Sequence, residues 1–113
     1  MSHSHKEYLL HILEETNFVL TSTQNTTQEE FDNDAILKRA VVRSLEIVGE
    51  AAKKLPDDFK VQHPETDWKA MAGTRDKLIH DYFGVDYDIV WDIVINELPL
   101  LKEQLANMLD TEQ

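Results

Sequence analysis

Apolar residues recur at intervals of three and four along almost the whole chain, and only three glycines and three prolines interrupt it. That period puts apolar side chains on one face of an α-helix, whereas strict alternation would mark strands. So few breakers leave long segments in which a helix can propagate. The pattern predicts an all-α fold, an up-and-down bundle of four to five helices. At 113 residues there is room for one hydrophobic core, so residues 1–113 read as a single domain.

The first helix is expected from about Ser4 to Thr21, with Leu9, Ile12, Leu13, Thr16, Val19 and Leu20 facing inward. A second should run from about Thr27 to Leu55, opened by a Thr27–Glu30 capping box. Its expected inner stripe is Leu37, Val41, Ser44, Val48 and Ala51, widened by Ala40 and Ile47. Pro56 closes that helix, and a loop with a short turn leads to Pro64. Asp67 is placed to cap Trp68 to Ala72, and Gly73-Thr74 to open a third piece, Arg75 to Phe83, which Gly84 ends. Asp86 caps a last helix carrying Tyr87, Val90, Trp91, Val94, Leu98, Leu101, Leu105 and Met108, with a kink expected at Pro99. So long a seam offers more apolar surface than one small bundle hides, which points to a homodimer.

Bulk composition removes several classes of function. No apolar stretch approaches the roughly 20 residues of a membrane span, and the start lacks the features of a secretory signal, so a cytoplasmic protein is expected. The absence of cysteine removes disulfide and thiolate chemistry. No cofactor or metal is expected, since His3, His5, His11 and His63 lack ligand spacing and read as surface residues. A net charge of −11 argues against broad affinity for nucleic acid and requires any such binding to use a local basic cluster.

The polar set that stands out lies between Arg75 and Tyr82. On a helical wheel Leu78, Ile79, Tyr82 and Phe83 form an apolar face with Arg75 in its middle, a costly place for a guanidinium unless it is paired or swings out from the first turn. His80 lies about 140° around the wheel from Arg75. Asp76 and His80 stack at i and i+4, so Asp76 could hold one imidazole nitrogen and leave the other free as a base; an exposed surface histidine is the competing reading. Arg39 and Arg43 could guide phosphates, or could equally form ordinary surface pairs, with Glu46 or between Glu50 and Lys54.

The string Gly73-Thr74-Arg75-Asp76-Lys77-Leu78-Ile79-His80-Asp81-Tyr82 resembles the R-x4-H-x-Y signature of HepT-like toxins of the HEPN ribonuclease superfamily. Arg43 to Ala52, with its Gly-Glu-Ala-Ala end, is similar to the family's second-helix segment, and Trp68 and Val85-Asp86 also fit. The resemblance implies a HEPN-like homodimeric bundle and a metal-independent endoribonuclease acting on RNA, with tRNA the candidate. Arg75, His80 and Asp76 would be catalytic, and Arg39, Arg43 and Lys77 would contact RNA phosphates. It also implies a minimal nucleotidyltransferase antitoxin that silences the toxin by AMPylation of Tyr82. The competing function is a non-catalytic dimeric module that presents a nucleotide or substrate to such a nucleotidyltransferase.

Overall fold

The computed structural model describes residues 4–78 and 84–111. Among them the structure is helical: α1 (His5–Ser22), α2 (Gln28–Asp32), α3 (Ala35–Lys53), α4 (Asp57–Gln62), α5 (Trp68–Ala72), α6 (Thr74–Leu78), α7 (Tyr87–Asp92) and α8 (Leu98–Thr111), with a π-helical segment, Ile93–Glu97, joining the last two. The all-α expectation is met. No helix among the described residues is long and apolar enough to cross a membrane.

Short-range chemistry sets most of the helix starts. Ser4 accepts from the Glu7 N–H, Asp67 from Ala70, and Asp86 from Asp88 and Ile89. The Thr27–Glu30 capping box is complete, the Glu30 carboxylate accepting from Thr27 N at 2.9 Å and Glu30 N donating to the Thr27 hydroxyl at 3.1 Å. That box opens a five-residue helix and not the long one expected from Thr27 to Leu55. Asn33 and Asp34 break it: the Asn33 amide donates to Glu29 O at 2.9 Å, and the Asp34 carboxylate accepts from Leu37 N at 3.0 Å as the cap of α3. Asx side chains compete for backbone groups in this way, and here they turn the chain.

Helix α3 packs against α1, α5 and α6, and α1 also packs against α8. Having neighbours on both flanks, α3 buries a broader face than the expected stripe, one that takes in Val42, Leu45, Gly49 and Ala52 as well as Val41, Ser44, Val48 and Ala51. Ile47, Ala40 and Leu37 are half-buried at its margins. The core joins Leu9, Ile12 and Val19 of α1 to this face and to Leu98, Leu101, Leu105 and Met108 of α8. Burying a side chain of this size is worth about 1.5–3 kcal/mol, so this seam carries most of the driving force. Thr16, fully buried on α1, satisfies its hydroxyl by donating to Ile12 O at 2.8 Å.

At Pro99, where a kink was expected, the helix widens through the π segment, so that Leu98 N donates to Ile93 O. Proline has no N–H and crowds the carbonyl four residues back, and a π turn just ahead of it relieves that crowding. His5 and His63 are not plain surface residues: their rings stack on Phe59 at centroid distances of 5.0 and 4.5 Å. His63 is also held by Glu65, 3.3 Å from its Nδ1, and its carbonyl accepts from the Trp68 indole at 2.9 Å.

Candidate functional site

Helix α6 has five residues, too few to hold itself, so its neighbours fix it. Thr74 and Leu78 are its buried positions, one helical turn apart, and the Thr74 hydroxyl donates to Ala70 O at 3.2 Å. This anchoring fixes the rotation of the helix. Arg75 swings outward and is paired, both of which the sequence left open for it: its side chain is 62% exposed, with Nε 3.7 Å from Glu46 Oε2 of α3. Lys77 leaves the same helix in another direction and lies 3.9 Å from Glu97 of the π segment. Asp76 is exposed.

Helix α6 sits where it does because α5 closes tightly on α3. A Cβ added to Gly49 would lie 3.2 Å from Met71 O and 3.7 Å from Ala72 O, tighter than most side chains tolerate, so glycine lets the end of α5 approach without a shift of a few tenths of an ångström. Ala51 and Ala52 are buried on the same helix. The small residues of the Gly-Glu-Ala-Ala string therefore have a packing role, which sets the height from which Arg75 emerges.

His80 and Tyr82 belong to residues 79–83 and lie outside the described residues, as does the expected Asp76–His80 contact. The flanks of that segment are defined. Leu78 is buried, and its carbonyl accepts from Asp86 N at 2.8 Å, which ties the two ends together. Gly84 has φ +96°, a left-handed backbone that any side chain would strain, so glycine there lets the chain turn back into α7.

Arg39 and Arg43 are exposed on α3, and by helical spacing they share a face with Glu46 and Glu50. The surface pairs considered for this face are not those observed: Glu46 meets Arg75, and Glu50 meets Lys53 at 3.8 Å. Arg39 and Arg43 thus share, by helical spacing, the face of α3 whose Glu46 meets Arg75. Sequence reasoning missed Glu46 as Arg75's partner. Its one signal was its place on the exposed face one turn beyond Arg43. Among the described residues no three His, Asp or Glu side chains gather to hold a metal ion.

Comparison with known proteins places this arrangement. The family model described as "Ribonuclease HepT-like" matches residues 9–108. The chain is 46% identical over 108 residues to "Putative RNase TTE0752" of Caldanaerobacter subterraneus subsp. tengcongensis, covering 96% of each chain. It is 47% identical over 108 residues to "Probable ribonuclease HepT" of Thermococcus cleftensis, covering 96% of this chain and 98% of the other. It is 49% identical over 94 residues to "Putative RNase MJ0127" of Methanocaldococcus jannaschii, covering 83% and 78%. No solved structure matches it. With the match running from the first turns of α1 to the last turn of α8 and spanning the Arg75 segment, the chain belongs to the HepT-like ribonuclease family.

Proposed function

We propose that the protein is the toxin of a toxin–antitoxin pair, a metal-independent endoribonuclease whose catalytic groups are Arg75, His80 and Asp76. The observation that carries this reading is the placement of Arg75, outward-facing and paired with Glu46 on the helix that carries Arg39 and Arg43, in a chain whose relatives are named as ribonucleases. His80 takes the proton from a ribose 2′-hydroxyl, whose oxygen attacks the adjacent phosphorus. The bond to the 5′-oxygen breaks, that oxygen takes a proton from water, and a 2′,3′-cyclic phosphate remains. Arg75 stabilises charge on the phosphoryl oxygens, and Asp76 orients the imidazole. Arg39, Arg43 and Lys77 guide the RNA backbone, tRNA being the candidate substrate.

A homodimer would bring two such sets to one cleft, and the exposed Ile95 and Leu100 are apolar surface that it could cover. A nucleotidyltransferase antitoxin would silence the enzyme by adding AMP to Tyr82. The net charge of −11 favours the second reading, a non-catalytic dimeric module serving that nucleotidyltransferase. Charge governs encounter and overall affinity, whereas a local arginine face can still seat one phosphate track.

The deciding experiment incubates purified protein with RNA in EDTA. Cleavage leaving cyclic-phosphate ends, and lost by about 10²- to 10⁴-fold in His80→Ala and in Arg75→Ala with helix content unchanged, is the expected result. Full activity in either variant, or activity only with added divalent metal, refutes the assignment.

A further inference from the structure

We infer that Glu46 is a positioning residue for Arg75, its carboxylate pairing with the guanidinium on the Nε side so that the two terminal nitrogens are presented to RNA phosphate. The inference rests on the ribonuclease reading of Arg75. Glu46 belongs to the nineteen-residue α3, where its neighbour Leu45 is buried, and its own side chain is only 27% exposed. Arg75 rises from the five-residue α6 with 62% of its side chain in solvent. The contact therefore joins a rigid helix to a short one. Left alone, an exposed arginine samples many rotamers, and each must be given up when phosphate binds.

Among the described residues the contact that Arg75 makes is from Nε to Oε2, at 3.7 Å. A guanidinium carries five N–H donors, and a carboxylate at Nε leaves the four on the terminal nitrogens for phosphate oxygens. Glu46 also sets a boundary. Along this face of α3 the charges change from Arg39 and Arg43 to the half-buried Glu46 and the exposed Glu50, so a phosphate track along it meets repulsion at its acidic end. The scissile phosphate is then the last one the face can accept.

The test measures RNA cleavage by Glu46→Ala and Glu46→Gln, together with the NMR signal of the Arg75 Nε–H. Glu46→Ala should lower kcat about tenfold with KM changed much less, an effect between that of an exposed ion pair and that of a misplaced catalytic group. Glu46→Gln keeps the length of the side chain but removes the charge that pairs with Arg75 across 3.7 Å, and should lose most of what Glu46→Ala loses. Added to Arg75→Ala, Glu46→Ala should cost nothing further. In the wild type the nearby carboxylate should shift the Nε–H signal, and that shift should vanish in Glu46→Ala.

An unchanged kcat in Glu46→Ala overturns the inference. So does a lower KM at constant kcat, which would make Glu46 a competitor of phosphate, and so does an equal loss in the Arg75→Ala background. An Nε–H signal indifferent to Glu46 overturns it whatever the activity. Inactive wild-type protein with a Glu46-dependent Nε–H signal would instead remove the ribonuclease reading and leave the pair standing.

Discussion

The site that a Cβ would occupy on Gly49 lies 3.2 Å from the carbonyl oxygen of Met71, and that one approach sets the spacing between the longest helix and the segment bearing Arg75. Gly49→Ala should therefore destabilise the protein, although alanine is the better helix former by about 1 kcal/mol. The opposing atom is backbone and cannot rotate away, and overpacking of this kind costs about 1–3 kcal/mol. A net loss of about 1 kcal/mol would lower Tm by roughly 5 °C. A thermal melt in which Gly49→Ala equals or exceeds the wild type would show that α5 gives way.

Gln104 closes a polar link between α8 and the loop ahead of α5. Its amide oxygen accepts from the buried Thr66 hydroxyl at 2.8 Å, and its NH2 donates to Glu65 O at 2.7 Å. Gln104→Leu strands the hydroxyl and should cost about 1–3 kcal/mol. Adding Thr66→Val removes the stranded group and should return part of that loss. Urea unfolding of the single and double variants checks this, and simple additivity of the two substitutions would refute the link.

Glu30 makes a pH-dependent contribution. The Thr27 backbone N–H, and then the Thr27 side chain, hold its carboxyl below its ordinary value of 4.5. A carboxyl lowered on folding stabilises the fold above its unfolded value, and that contribution is lost as pH falls through the folded one. The start of α2 should therefore hold at neutral pH and loosen in acid, and Glu30→Gln should flatten that dependence. A carboxyl NMR titration of Glu30 with a midpoint at or above 4.5 would contradict it.

Tyr82 follows Arg75 by nearly two helical turns, about the spacing that returns a side chain to the same side of a helix. On the proposed reading, protein co-expressed with a nucleotidyltransferase antitoxin carries AMP on Tyr82, which would add negative charge to the proposed RNA site. Tyr82→Phe should stay toxic in the partner's presence. Intact mass with peptide mapping decides: AMP on Tyr8 or Tyr87, or a Tyr82→Phe protein still neutralised by AMPylation, would sink the proposal.

Features written in neighbouring residues were legible without coordinates. The caps at Asp67 and Asp86 and the Thr27–Glu30 box rest on contacts within one turn, and the seam from Val90 to Met108 shows as a repeat of apolar residues along one helical run. Asn33-Asp34 escaped notice because the apolar period runs on across it, from Phe31 to Leu37, and only the competition for backbone N–H groups shows the break. Arg75 was recognised as anomalous, but the wheel assumed a helix whose apolar face included Ile79, Tyr82 and Phe83. In α6 the buried positions are Thr74 and Leu78, which turn Arg75 toward Glu46. Contacts between distant parts of the chain leave no period to read, and the widening at Ile93–Glu97 depends on how Pro99 is accommodated.

That widening separates two jobs within one continuous helical run. Before it, α7 packs on α3 and α6; after it, α8 packs on α1. Because a π turn takes up an extra residue, the side chains beyond it are out of phase with those before it by roughly one helical position, about 100°. Twisting of the α8 end therefore does not pass along the run as it would through an uninterrupted helix. The side chains before the widening are therefore set in register with α3 and α6, and those after it with α1, so each half of the run is fitted to its own neighbours.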